Sequence, residues 1–218
     1  MRAEILPGIL AHTLEDYIAR LEIVESSSAT WAHIDIADGQ FVPNITVMPH
    51  EFMGIPTKLS LEAHLMTFSP ERYYSDLVVA GVTRVLLHRE SFTNFEDTAK
   101  AIHDAANYFA EVGLVLSPGT VIESYESLSL AVIMCMGVHP GFSGQPFVEE
   151  AYGTIKGVVA QKLKAVVAVD GGVSEDNIRQ LQKEGVNRFV ISSQLFATNA
   201  MTTNLHHFIQ LLAQQGGV

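Results

Sequence analysis

Two junctions in this chain are near copies of one another: GVTRVLL (Gly81–Leu87) and GVNRFVI (Gly185–Ile191). Each follows a segment with helical signatures and opens an apolar run rich in β-branched residues. A repeated helix–glycine–strand junction suggests one supersecondary unit used many times. Eight apolar runs recur along the sequence: EILPGIL, WAHIDIAD, KLSLEAHLM, RVLLHRE, EVGLVLSP, LAVIMCMGV, AVVAVDGG and RFVISSQ. Strands that are apolar on both faces and alternate with helices form parallel sheets covered by those helices. Eight such units in 218 residues predict an α/β chain folded as a closed (β/α)8 TIM barrel. No linker, low-complexity segment or shift in composition divides the chain, so residues 1–218 read as a single domain.

The helices have their own punctuation. Thr13 opens one whose apolar stripe is Leu14, Ile18 and Leu21. Ser69-Pro70-Glu71 predicts an N-cap, a proline in the first helical position and an acid in the first turn, with Tyr73 and Leu77 on one face and Gly81 as the stop. Ser174, with Glu175 and Asp176, opens another that turns Ile178 and Leu181 inward and stops at Gly185. The second helix is the weakest, because HEFMGIP is short and Gly54 and Pro56 follow closely.

Composition narrows the class of partner. Forty-eight per cent of the residues are hydrophobic, as in a soluble globular protein, and no apolar run reaches the roughly 18 residues of a membrane span. MRAEILPGIL carries Glu4 and Pro7 where a signal peptide needs an apolar core, so it reads as a first strand and the expected compartment is the cytoplasm. The lone Cys135 excludes a disulfide framework and a Cys-rich zinc site, and its apolar setting makes it a small buried hydrophobe. A net charge of −11 disfavours nucleic acid and anionic membranes. A small anionic substrate stays open if its site is built from local backbone dipoles.

In a (β/α)8 barrel the functional face lies at the C-terminal ends of the strands. Three strand ends carry metal-competent side chains: His33 and Asp35 on the second, His64 on the third, and Asp170 on the seventh. Residues at i and i+2 of a strand share a face, so His33 and Asp35 project together from an otherwise apolar strand. A buried carboxylate costs several kcal/mol unless it is paired or coordinated. Two imidazoles and two carboxylates at one barrel mouth suit a divalent metal such as zinc, manganese or iron. Taken singly, each has a plainer reading: a hydrogen-bonded pair, a packed histidine, a turn. Only the joint placement argues for a site. A second group follows the last strands: HPGFSGQPF with Gly141, Phe142, Ser143 and Gly144, then Gly171-Gly172, then Ser192-Ser193. Adjacent glycine-rich loops there form the usual phosphate cradle of this architecture.

With these motifs in place the chain resembles a known family, the ribulose-phosphate 3-epimerases, which are ribulose-phosphate-binding barrels. The similarity runs through HIDIADGQFVPNIT, AHLMTFSPERY, MGVHPGFSGQPF and VAVDGGVSEDN and covers nearly the whole chain. The resemblance implies a metal-dependent isomerase of carbohydrate metabolism that interconverts ribulose 5-phosphate and xylulose 5-phosphate through a metal-stabilised enediolate. It also implies that His33, Asp35, His64 and Asp170 are metal ligands and that Asp35 and Asp170 are the acid–base pair. Met66 and Met136 match methionines along the reacting carbons. His33 and His64, with the residues of the glycine-rich loops, match positions that contact substrate. Family members commonly self-associate, so a homo-oligomer is expected.

Four positions depart from the family pattern. Gly8 stands where Pro7 is usually followed by serine, Ala37 where a methionine precedes Asp-Gly, Ser192 where the eighth strand ends in Gly-Ser, and His139 where an acidic or amide residue precedes Pro-Gly-Phe. Ala37 implies a pocket that is wider or wetter there, and loss of a hydroxyl and a methionine leaves two alternatives to the pentulose reaction: a longer ketose phosphate such as allulose 6-phosphate, or a phosphate-binding barrel with weak or no catalysis. Among the other histidines, His88 lies near the fourth strand end as a candidate supporting group. His206-His207 read as an exposed pair, because neighbours in sequence do not share a helix face.

Overall fold

The structure, a computed structural model, describes residues 3–197 and 200–213. Eight parallel strands close into a barrel in sequence order: β1 (Glu4–Ile9), β2 (Trp31–Ala37), β3 (Ser60–Met66), β4 (Val82–His88), β5 (Glu111–Leu116), β6 (Val132–Met136), β7 (Val166–Asp170) and β8 (Arg188–Ile191). Around it lie α1 (Leu14–Glu25), α2 (Pro49–Phe52), α3 (Tyr74–Val79), α4 (Phe95–Ala105), α5 (Glu150–Ala160), α6 (Ile178–Lys183), α7 (Ser193–Phe196) and α8 (Met201–Ala213). The predicted TIM barrel is thus present. One unit is incomplete, because residues 117–131 join β5 to β6 without a helix. Among the described residues no helix is long and apolar enough to cross a membrane.

Helix starts follow local chemistry, with two differences from the sequence expectation. Thr13 caps α1 as expected, its hydroxyl accepting from the Asp16 amide. Ser69 makes no side-chain cap. The chain instead tightens into a 3-10 turn over Pro70–Tyr73, with the Arg72 amide on the Ser69 carbonyl, and α3 begins only at Tyr74. The helix expected from Ser174 begins at Ile178, because the Asn177 side chain accepts from the Ser174 amide and holds residues 174–177 as a turn. Gly81 and Gly185 end their helices with φ of 81° and 107°, so the repeated junction is a left-handed glycine turn feeding a strand.

Strand alternation divides the core in two. Ile34, Ile36, Leu61, Ala63, Leu65, Val85 and Leu87 face outward into the layer between barrel and helices. Leu6, Leu86, Val115, Met134, Met136, Ala168 and Val190 fill the lumen. Cys135 faces the outer layer, fully buried, and burial pushes its thiol up to about 12.

The floor of the lumen is ionic. The arginines of the two repeated junctions, Arg84 and Arg188, come from opposite sides of the barrel and converge on Glu62 of β3, which is fully buried. Arg84 Nη1 donates to Glu62 Oε2 at 2.9 Å, and Arg188 Nη1 lies 3.5 Å from the same oxygen. Outer partners complete the set: Arg84 Nε donates to Glu111 at 2.5 Å and Arg188 Nε to Glu4 at 2.6 Å, while the Arg84 guanidinium stacks on Trp31 at 3.9 Å. Breaking a buried pair from one side leaves an uncompensated charge. Glu62→Ala is therefore expected to cost about 3–5 kcal/mol in urea unfolding, whereas removing the half-exposed Glu111 costs about 1 kcal/mol or less. Equal losses would contradict this account of the floor.

Candidate metal centre and cleft

The register of β2 on β3 pairs His33 with Glu62, Asp35 with His64, and Ala37 with Met66, all pointing into the lumen. On the other side of the barrel Met136 pairs with Asp170. Parity alone thus places the four candidate ligands at the upper end of the lumen. One donor atom from each of His33, Asp35, His64 and Asp170 falls within 4.8 Å of the others, a spacing that can hold a metal ion. His64 Nδ1 lies 2.9 Å from Asp35 Oδ1 and 3.6 Å from Asp170 Oδ2. His33 Nε2 lies 3.4 Å and 3.8 Å from the same two oxygens.

Electrostatics within the group are sharply divided. Burial pushes Asp170 up, and the neighbouring charge of Asp35 adds to it, so its carboxyl titrates at about 6. Asp35 is equally buried, but hydrogen bonds and charge from His33 and His64 outweigh that and hold it below the usual carboxylate range. For His33, burial opposes the imidazolium, yet Asp35 and Glu62 outweigh burial and raise it well above its ordinary value. Behind it the Glu62 carboxylate is lowered to about 2; burial opposes this, and His33 and the two arginines prevail.

One atom tests whether a cation fits. His33 Nδ1 donates to Glu62 Oε1 at 2.7 Å, because a carboxylate only accepts. The opposite nitrogen, Nε2, is buried, has no hydrogen-bond partner and faces the gap between the two aspartates. Buried polar atoms are almost always satisfied. A metal ion held here would satisfy this one and compensate both carboxylates, and a mixed imidazole–carboxylate donor set is a common one for divalent ions.

Above the group opens a cleft. Asp35, Asp170, Met66 and Met136 form its base, and Gly141, Phe142, Ser143, Gly144, Gly171, Gly172, Ser192 and Ser193 line its rim. His33 and His64 are fully buried behind the carboxylates and are not on the cleft lining. Among the described residues no lysine or arginine lines it. The rim is cross-braced. Asn44 Nδ2 donates to the Gly141 carbonyl at 2.5 Å, and Gln145 Nε2 donates to the carbonyls of His139 and Phe142. Asn177 Nδ2 donates to the Gly172 carbonyl at 2.8 Å. Thr46 closes the end of β2, donating to the Asp35 carbonyl and accepting from the Ala37 amide.

The departures read differently in three dimensions. A side chain added at Gly8 would have its Cβ 3.3 Å from that of Ser192, so two of the four changes share one spot. The cleft expected to widen at Ala37 does not, because Ala37 is fully buried against Val42, Met66 and Phe41 and is not on the lining. His139 is exposed, and its carbonyl braces Gln145. His206 and His207 are both exposed, with His207 Nε2 3.1 Å from Glu175. Glu62, Asn44, Asn177 and Glu90 also support the site, although the sequence reading does not single them out. Glu62 carries a signal, since it stands two residues before His64 on the same strand face.

The profile of the Ribulose-phosphate 3 epimerase family matches residues 4–196. The chain belongs to the ribulose-phosphate 3-epimerase family. Membership places it among the isomerases that act on carbohydrates. It is 34% identical over 205 residues to a ribulose-phosphate 3-epimerase of Mycobacterium bovis, covering 89% of this chain and 86% of that one. It is 31% identical over 198 residues to the chloroplastic ribulose-5-phosphate-3-epimerase of Arabidopsis thaliana, covering 87% of this chain and 70% of the relative. Among solved structures, KGPDC from Streptococcus mutans superposes with a TM-score of 0.69 at 12% identity, covering 98% of each chain. A mutant tryptophan synthase alpha-subunit from Pyrococcus furiosus gives 0.68 at 13%, covering 98% of this chain and 100% of that one. These two likenesses speak for the barrel alone.

The glycine pair after β7 supplies a direct test of the rim. Gly172 has φ of 66°, and a Cβ there would lie 2.6 Å from the Phe147 amide nitrogen. Gly172→Ala is expected to cost at least about 1 kcal/mol in unfolding experiments and to displace the 141–147 loop. A variant of unchanged stability, with the loop in place, would contradict the packing described.

Proposed function

We propose that the protein is a divalent-metal-dependent epimerase that inverts carbon 3 of ribulose 5-phosphate to give xylulose 5-phosphate. The observation that carries this reading is the pair of buried aspartates set among two imidazoles at the base of the cleft. Epimerisation at a carbon next to a ketone needs a base to remove a proton from one face and an acid to deliver one to the other. Against the effect of burial, hydrogen bonds and charge from the two imidazoles hold Asp35 below the usual carboxylate range, while burial and the charge of Asp35 raise Asp170 above it. Two neighbouring carboxyls whose environments push their pKa values apart make an acid–base pair.

In the forward direction one carboxylate takes the hydrogen from carbon 3 as a proton, leaving its electron pair delocalised into the carbonyl. The second carboxyl then returns a proton to the opposite face of the planar intermediate. The reverse reaction exchanges the two roles. When bound by His33, Asp35, His64 and Asp170, a divalent cation such as zinc, manganese or iron supplies Lewis-acid stabilisation of the oxygen charge that develops as the proton leaves. Met66 and Met136, buried on the lining, exclude water from the reacting carbons and strengthen the electrostatics there. The substrate's phosphate lies against the rim loops, where backbone amides rather than cationic side chains meet it. This suits a protein of net charge −11, whose overall field does not attract an anion. Ala37 is sealed from the cleft, which supports the pentulose phosphate over a longer hexulose phosphate at that position.

The test is solvent exchange. In deuterium oxide the protein is expected to place deuterium at carbon 3 of ribulose 5-phosphate while forming xylulose 5-phosphate. Asp35→Asn and Asp170→Asn should each slow this by about 10²–10⁴-fold. Chelation should abolish it, with one equivalent of divalent metal per chain restoring it. Exchange that survives either substitution, or label at a different carbon, would contradict the two-carboxylate reading.

A further inference from the structure

His33 is oriented by a carboxylate directly behind it, whereas His64 is backed by another imidazole. The rings of His64 and His88 are stacked, with centroids 5.0 Å and planes 25° apart, and their Nε2 atoms are separated by 2.8 Å. Between two nitrogens that close, one donates and the other accepts. The far nitrogen of His88 decides which. His88 Nδ1 lies 3.0 Å from Glu90 Oε2, and since a carboxylate only accepts, Nδ1 carries the hydrogen. In the neutral ring Nε2 of His88 is then the acceptor, and His64 must donate from its own Nε2. His64 Nδ1 lies 2.9 Å from Asp35 Oδ1 and donates to it; with the Nε2 hydrogen held by His88, the Nδ1 hydrogen is the one that a bound cation would displace.

We propose that Glu90 and His88 form a two-residue tautomer relay that keeps a hydrogen on His64 Nε2, so that Nδ1 is the nitrogen that exchanges its hydrogen for a metal ion. The opposite arrangement sets the His88 Nδ1 lone pair against the Glu90 carboxylate and is repelled. The relay is anchored, and its imidazole is shielded from water. Glu90 Oε1 accepts from the Ser117 amide at 2.9 Å and from the Thr120 hydroxyl. Phe41 packs on His88 with centroids 4.7 Å apart, and His88 is fully buried. Neither His88 nor Glu90 lines the cleft, so both are positioning residues. The anchor also gives the β5–β6 connection, which lacks a helix, a role at the site. Its first turn fixes Glu90, and Glu123 further along pairs with Arg89 at 2.6 Å, so the tripeptide 88–90 ties that loop to the metal ligand.

The inference rests on the metal reading above, and zinc alone is the probe. Zinc affinity is measured by competition with a chromophoric chelator for the wild type, His88→Phe and His88→Gln. Phenylalanine keeps the ring contact but accepts no hydrogen bond, and its zinc affinity is expected to fall about 10- to 100-fold. Glutamine offers an amide oxygen near the former Nε2 and is expected to recover most of that loss. A second measurement needs no variant: imidazole ¹⁵N spectra of the zinc-loaded wild type should show His88 protonated on Nδ1 and His64 protonated on Nε2. If the wild type binds no zinc, the metal reading falls and the relay with it. If it binds zinc and His88→Phe binds equally well, or His88 carries its hydrogen on Nε2, the relay alone is overturned.

Discussion

Two carboxylates buried side by side in a barrel lumen cannot both keep their charge without compensation, and most of the polar architecture here answers that constraint. Asp35 and Asp170 are each more than nine-tenths buried, and their donor atoms lie within 4.8 Å of one another and of those of His33 and His64. The compensation is arranged along the barrel axis. At the bottom two arginines meet Glu62; above it Glu62 accepts from His33; above that His33 and His64 meet the aspartates. Each buried charge is answered by the layer next to it, and the gap left at the top matches a divalent cation.

The same stack explains why the site is rigid enough for chemistry while the cleft above it is not especially polar. Strands fix the aspartates and imidazoles, and the alternation of side chains aims them without help from loops. Loops supply what strands cannot, a rim of backbone at Gly141–Gly144 and Gly171-Gly172 braced by Asn44, Gln145 and Asn177. Charged side chains at the base are thereby separated from backbone dipoles at the rim.

Much of this is legible in the sequence, for identifiable reasons. The barrel shows in the spacing of eight apolar runs and in the twice-used GV-x-R junction, because parallel strands covered on both faces leave a continuous apolar signature. His33, Asp35, His64 and Asp170 stand out because a charge in such a run demands a partner. The ionic floor is less visible. Arg84 and Arg188 look like ordinary surface residues at strand starts, and only the closed barrel brings opposite strands onto Glu62. The rim braces are equally hidden, since Asn44 and Gly141 are 97 residues apart. Ala37 shows the opposite failure: a smaller residue suggests a wider cleft, but the lumen closes over it with Phe41, Val42 and Met66. The helices expected from Ser69 and Ser174 start later in the chain, because a 3-10 turn and an asparagine turn compete locally with capping.

The central claim is that a cation completes this charge stack, and anomalous diffraction at the absorption edge of manganese or zinc in metal-loaded crystals tests it most directly. The account predicts one strong peak per chain, coordinated by His33 Nε2, His64 Nδ1 and one oxygen from each of Asp35 and Asp170. A lumen without such a peak at full loading, or a peak whose donors exclude either aspartate, would contradict it.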